Sequence, residues 1–166
     1  MRLFMPVLLA TFGLVALTAR ADETPQRKPG LWEITMSSSD AAAPRIGLKM
    51  CIDAATDAAL RDYAMGVGKR NCSKNDVKSD GKEITTDAVC TVAGKQMISH
   101  SITKFSGDTA YHTDVKTHYE PPMRGETDGT AMQDGKWTGP CPADVQPGEM
   151  IGADGSKMNL KEVTGR

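Results

Sequence analysis

The four cysteines are the residues whose number and spacing point most directly to chemistry in this sequence. They are Cys51, Cys72, Cys90 and Cys141. No two of them are separated by only two residues, which is the spacing of redox-active dithiols and of many zinc-binding pairs. An even number of widely spaced cysteines is typical of structural disulfides in a protein exported to an oxidising compartment. We therefore expect two disulfides.

A β-hairpin is predicted between the second and third cysteines. Two arms of alternating polarity meet at Asp80-Gly81, a dipeptide that favours a tight hairpin turn. A cysteine near each open end would staple the mouth of this hairpin. Four cysteines allow three pairings, and the hairpin favours one of them. The expected disulfides are Cys72–Cys90 and Cys51–Cys141.

The expected disulfide constrains the register of this hairpin. A two-residue loop would place Cys72 opposite Val89, so that the two sulfur atoms point to opposite faces of the sheet. A three-residue loop places Cys72 opposite Cys90, on one face and within bridging distance. If the disulfide forms, the loop has an odd number of residues or the hairpin contains a bulge.

The three histidines are the other candidate metal-binding or catalytic residues. His112 and His118 fall on one face of a predicted strand, about 20 Å apart at ~3.3 Å per residue, which is too far to share an ion. His100 can approach His112 or Asp114 only under an odd-loop register. We expect histidines on a solvated face and no metal site. No Gly-x-Ser-x-Gly motif is present and the acidic residues lie mostly in predicted turns, so no catalytic residue, enzyme class or cofactor is predicted.

The first 21 residues have the pattern of a secretory signal peptide. Arg2 precedes an apolar run over Leu3–Leu17, and small residues flank Arg20 at the expected cleavage site before Asp22. The apolar run is shorter than the ~20 residues that span a bilayer. We therefore expect an exported protein with no stable membrane anchor after cleavage.

The chain that remains after cleavage is short and slightly acidic. Its 145 residues suit a single domain. Loss of Arg2 and Arg20 lowers the basic count from 20 to 18 against 21 acidic residues, which gives a formal net charge of −3. This balance argues against a nucleic-acid partner.

Alternating strand patterns predict a mostly β domain over residues 29–142. Strand-like stretches recur about every ten residues, with short connections after residue 70, which predicts an antiparallel meander that curves strongly or becomes barrel-like. One short α-helix is predicted over residues 53–65, with Gly66 as its stop. Within it, Asp57 and Arg61 have the i,i+4 spacing of an ion pair.

Prolines and Asp-Gly dipeptides set the expected ends of the later strands. Pro121-Pro122 is expected to end the strand before it, because proline cannot donate to the ladder. Asp128-Gly129 and Asp134-Gly135 are expected to break the segment that follows into separate pieces.

The two ends of the mature chain carry weaker signals. Residues 22–28 are polar and are expected to form a flexible N-terminus. Residues 143–166 form a tail with the elements of a small hairpin around Asp154-Gly155, and its packing on the domain is left open.

A tryptophan-bearing opening and a Gly-Pro-Cys closing frame the predicted domain. The opening is Lys28-Pro29-Gly30-Leu31-Trp32-Glu33 and the closing is Thr138-Gly139-Pro140-Cys141-Pro142, with the other three cysteines between them. Over roughly residues 28–142 this arrangement resembles the domain of unknown function 3617 family, small exported proteins of Gram-negative bacteria. The resemblance implies a periplasmic location and four cysteines in disulfides, and it implies no catalytic residue.

Binding of a small hydrophobic molecule in the mouth of a curved sheet is the function that we favour. Amphipathic aromatic side chains would line such a surface. The candidates are Trp32, Tyr111, Tyr119 and Trp137. Ordinary core packing is the alternative role for each of them. An envelope accessory or inhibitor that binds another envelope protein is the alternative function, and a hydrolase with an unrecognised site is a third.

Overall fold

The structure is a computed structural model that describes residues 24–39, 44–160 and 162, except for the side chains of residues 64–70. The predicted signal peptide, residues 1–21, lies outside the described residues.

Within the described residues, nine strands form one antiparallel sheet, and one helix follows the second strand. The strands are β1 (Gly30–Ser38), β2 (Ile46–Ile52), β3 (Cys72–Ser79), β4 (Glu83–Val92), β5 (Lys95–Ser106), β6 (Ala110–Met123), β7 (Glu126–Gly139), β8 (Glu149–Gly152) and β9 (Lys157–Asn159), and the helix is α1 (Ala54–Asn71). Their order in the sheet is β3-β4-β5-β6-β7-β1-β2-β8-β9.

The sheet is curved and open, with β3 and β9 at its two edges. Strands β3 to β7 follow one another as a meander, and β1 pairs with β2 as a hairpin. Short connections with turn residues explain this order, because antiparallel neighbours need only a few residues to join them. The prediction of a mostly β, strongly curved antiparallel fold with one helix is confirmed.

Helix α1 is longer than predicted. The Asp53 carboxylate caps its first turn and accepts a hydrogen bond from the Thr56 N–H at 2.7 Å. The helix then continues past Gly66 to Asn71, because a glycine inside a helix costs only ~1 kcal/mol relative to alanine and does not end it. It stops where the disulfide-bonded Cys72 begins β3. In the described part of the chain, no helix combines the length and apolarity that crossing a bilayer requires.

Both expected disulfides are present in the structure. Cys72 is bonded to Cys90, 18 residues away, and Cys51 is bonded to Cys141, 90 residues away. On the loop-entropy model these closures stabilise the fold by roughly 3 and 4.5 kcal/mol, respectively. The second bond ties β2 to the segment that directly follows β7, so the two disulfides hold opposite parts of the sheet.

The stapled hairpin contains the bulge that its disulfide requires. Ser79 lies opposite Ile84, so residues 80–83 form the turn. If this register continued to the open end of the hairpin, Cys72 would not lie opposite Cys90. A bulge between Cys72 and Lys74 shifts the register so that Cys72 lies opposite Cys90. The expectation of an odd loop or a bulge is therefore met by the bulge.

Strand β7 is continuous, and the predicted breaks at Asp128-Gly129 and Asp134-Gly135 are wrong. Gly135 lies opposite Tyr111, and a Cβ atom at Gly135 would lie 2.1 Å from the Tyr111 Cε1 atom. The glycine is needed here for close packing inside the sheet and makes no turn.

Strand β6 extends to Met123, so the prediction that Pro121-Pro122 ends it is also wrong. Its pairing with β5 stops at Glu120, and its register with β7 shifts between His118 and Met123. The prolines therefore occupy positions where the ladder needs no N–H donor.

The tail packs on the domain and extends the sheet. Its small hairpin consists of β8 and β9, and β8 pairs with β2. Val145 and Leu160 are buried at its two ends.

The core lies where β1, β2 and β6 face α1. Its buried members are a short set of large side chains on one face of the sheet: Trp32, Ile34, Met50, Ile52 and Tyr111. Leu60 of α1 packs against them, so the helix and the sheet share one core.

Two strand glycines give a direct test of this packing. We expect Gly135→Ala to lower the free energy of unfolding by about 1–3 kcal/mol, because the new methyl group must displace the Tyr111 ring. Gly47→Ala in β2 is the matched control, since nothing lies within 4 Å of the added Cβ. The control should be neutral or stabilising by up to ~1 kcal/mol. Urea unfolding measures both values, and equal effects would contradict the close contact at Gly135.

Candidate functional site

Beside the shared core, an open cleft lies between one side of α1, the segment before β1 and the concave face of strands β3 to β7. Two adjacent cavities of about 340 and 260 Å³ occupy it. Arg61 and Ile84 line both cavities. Ala58, Val77 and Thr86 also line the larger cavity, and Arg27, Phe105, Tyr111 and Gln133 also line the smaller one. We call this space the inner cleft.

A buried carboxylate joins the N-terminal segment to α1 at this cleft. The Asp57 side chain is only 3% exposed and accepts a hydrogen bond from Arg27 Nε at 2.7 Å. It also accepts one from Arg61, one helical turn later. The predicted Asp57–Arg61 pair is confirmed. Arg27 was missed because it lies 30 residues away, in a segment that was expected to be flexible.

Aromatic rings form the floor of the cleft beside these charges. The Tyr111 ring packs against Trp32 and Phe105, with centroid distances of 5.8 and 5.9 Å. The Arg27 guanidinium lies 5.9 Å from the Tyr111 ring centroid, within cation–π range. Gln133 donates a hydrogen bond to the Tyr111 hydroxyl oxygen at 3.1 Å. Burial raises the pKa of Tyr111, so its hydroxyl stays protonated and can donate.

The four aromatic residues suggested as a binding surface do not lie together. Tyr111 lines the inner cleft. Trp32 is 0% exposed, so a ligand has no surface of it to contact. Tyr119 is half-buried on the same face as Tyr111, but eight positions along β6, or about 27 Å. Trp137 donates a hydrogen bond from its indole to the Pro29 carbonyl, outside the cleft.

The convex side of the sheet, which we call the outer face, carries all three histidines. Each histidine Nδ1 lies 2.7 Å from a cross-strand aspartate oxygen. The pairs are His100–Asp87, His112–Asp134 and His118–Asp128. The Asp128-Gly129 and Asp134-Gly135 dipeptides thus present a carboxylate to a histidine on the outer face and a glycine to the inner face.

Two of these histidines have a carboxylate at each ring nitrogen. His112 Nε2 lies 3.3 Å from Asp114, and His118 Nε2 lies 3.3 Å from Glu120. The hydrogen bond to Asp134 raises the pKa of His112, and the corresponding bond to Asp128 raises the pKa of His118. Because these pKa values are raised on folding, the histidines stabilise the fold fully below their ordinary pKa. That contribution is lost as the pH rises through the folded-state value.

The outer face is a charged, solvated surface. A shallow groove of about 290 Å³ runs along it, lined by His100 and His118 together with Lys74 and Lys116. Within the described ranges, no group of three or more histidine, cysteine or acidic side chains is placed to hold a metal ion. Ion pairs this exposed contribute little to stability. The inner cleft, which has apolar and aromatic side chains in its lining, is the better candidate for a small-molecule site.

Nuclear magnetic resonance titration of the histidine ring protons tests the outer-face pairs. We expect His112 and His118 to titrate above the ordinary histidine pKa of about 6.5. Asp134→Asn should lower the pKa of His112 and leave His118 unchanged, whereas Asp128→Asn should do the reverse. Each variant is the control for the other, and ordinary pKa values in the unmodified protein would contradict the pairing.

Comparison with known proteins places the chain in one family. The family model described as a protein of unknown function (DUF3617) matches residues 27–141. This match covers more than half of the chain, which therefore belongs to the DUF3617 family. No curated protein and no solved structure gives a significant match.

Proposed function

We propose that this DUF3617 protein is a non-catalytic binding module, which holds a small hydrophobic molecule in the inner cleft. The observation that carries the proposal is the unfilled concave face. Its side chains over β4 to β6 are mostly half-buried, although protein interiors are normally packed without such voids. Small-molecule sites typically have this form, an apolar cavity with a few convergent polar groups.

The lining of the larger cavity suits an apolar ligand, and the edge strand β3 offers an entrance to it. Ala58, Ile84 and Val77 supply aliphatic surface, and Thr86 adds a methyl and a hydroxyl group. Val77 lies on the edge strand β3 and is 48% exposed. An apolar side chain at an exposed edge is consistent with an entrance at this side of the cleft.

The proposed place of action is the periplasm of a Gram-negative bacterium. Two disulfides formed from all four cysteines are consistent with an oxidising compartment. The signal-peptide pattern of the first 21 residues supports export.

Adjacent threonines on β4 allow a matched test of the cleft. Thr86 faces the inner cleft and Thr85 faces the opposite side of the sheet. We expect Thr86→Phe to fill the larger cavity and to raise the dissociation constant of the neutral fluorescent probe N-phenylnaphthylamine by about tenfold or more, equivalent to ~1.4 kcal/mol. Thr85→Phe should change it by less than about twofold.

Fluorescence titration measures these constants, and circular dichroism checks that both variants fold. Failure of the unmodified protein to bind the probe would contradict the proposed function. Equal effects of Thr85→Phe and Thr86→Phe would show that the probe binds elsewhere.

A further inference from the structure

We infer that the ligand is a single-chain amphiphile with an anionic head, a carboxylate that binds against Arg27 and Arg61. Its alkyl chain would lie along Ile84 and Val77. This inference rests on the proposed function and adds the chemical class of the ligand.

The charges in the wall of the inner cleft are unbalanced. Two guanidinium groups share one carboxylate, because Arg27 and Arg61 both bind Asp57. The side chains of Arg27, Arg61 and Asp57 are 15%, 30% and 3% exposed. Asp62 also lines the larger cavity but is exposed at its rim, where water screens its charge. Among the side chains that the structure describes, one positive charge of this cluster is therefore left without a carboxylate partner, and a second anion is favourable there.

The same wall offers hydrogen-bond donors to such an anion. Each arginine carries five N–H donors in a planar fork that matches a carboxylate. Asp57 accepts from one side-chain nitrogen of each arginine. The protonated Tyr111 hydroxyl lies in the same cavity and accepts from Gln133, so its own proton remains available as a donor. A carboxylate at this position would meet donors from the N-terminal segment, α1 and β6.

The apolar part of the ligand fits the other half of the cleft. The two cavities adjoin at Arg61 and Ile84, so a chain that starts at the arginines can continue over Ile84 towards Val77. That path leads from the charged end to the exposed edge strand. A linear amphiphile suits this layout, because its two chemically different parts match two different ends of one space.

Isothermal titration calorimetry with three ligands of equal chain length separates the head from the chain. The ligands are decanoate and decyltrimethylammonium, each below its micelle concentration, and decanol below its solubility limit, with the full disulfide-bonded protein. We expect the dissociation constant of decanoate to be at least about tenfold lower than that of decanol, because one charge-assisted hydrogen bond changes a dissociation constant by roughly this factor. Decyltrimethylammonium should bind more weakly than decanol. Arg61→Gln should remove the preference for decanoate, and Arg61→Lys should retain part of it.

Two controls make the outcome decisive. Arg45→Gln removes an exposed arginine outside the cleft and should leave all three affinities unchanged within about twofold. Decanol binding by Arg61→Gln shows that this variant still has a folded cleft. Arg27→Gln is a second variant that tests whether the preference for decanoate depends on the arginine charges. Equal binding of the three ligands would overturn the inference and leave the proposed function standing. No binding of any ligand would overturn both.

Discussion

One helix has to cover the concave face of a nine-stranded sheet. Helix α1 connects β2 to β3. These two strands are six strand spacings apart in the sheet order, or ~29 Å at ~4.8 Å per spacing. The 18 residues of the helix give a length of ~27 Å at 1.5 Å per residue, so it can just reach across. A helix ~10 Å wide cannot cover strands of up to 14 residues, which are ~46 Å long. The open part of the concave face, and with it the inner cleft, follows from this geometry.

The ionic cluster that fixes α1 also gives the cleft its chemical character. Asp57 links the helix to Arg27, ahead of the first strand, while Leu60 packs in the shared core. Apolar residues can hold a helix as well as a buried ion pair does, often with better stability. An ionic cluster is therefore not the only kind of contact that could fix α1 here, and the proposed anionic ligand would give the charge a functional role.

Local patterns predicted the elements that depend on local chemistry. Alternating polarity identified the strands, and the cysteines at the mouth of the Asp80-Gly81 hairpin identified both the disulfide and the need for either an odd-numbered loop or a bulge. The errors came from contacts distant in sequence. The dipeptide at Asp134-Gly135 has the composition of a turn, but its glycine is required by Tyr111, which is more than twenty positions earlier. No local signal connects Arg27 to Asp57, which lie 30 residues apart. Alternating polarity along a strand could not show that Trp32 is fully buried in the core while Tyr111 also lines the cleft.

Native mass spectrometry of the protein purified from its own cell envelope tests the central claim most directly. The structure, the proposed function and the inferred ligand class together predict a polypeptide with both disulfides formed and one small acidic amphiphile bound, which is released on denaturation and detected as an anion. An empty polypeptide, or one that is recovered only with a second protein and no small molecule, would contradict this account. The second result would favour an accessory role through protein contacts.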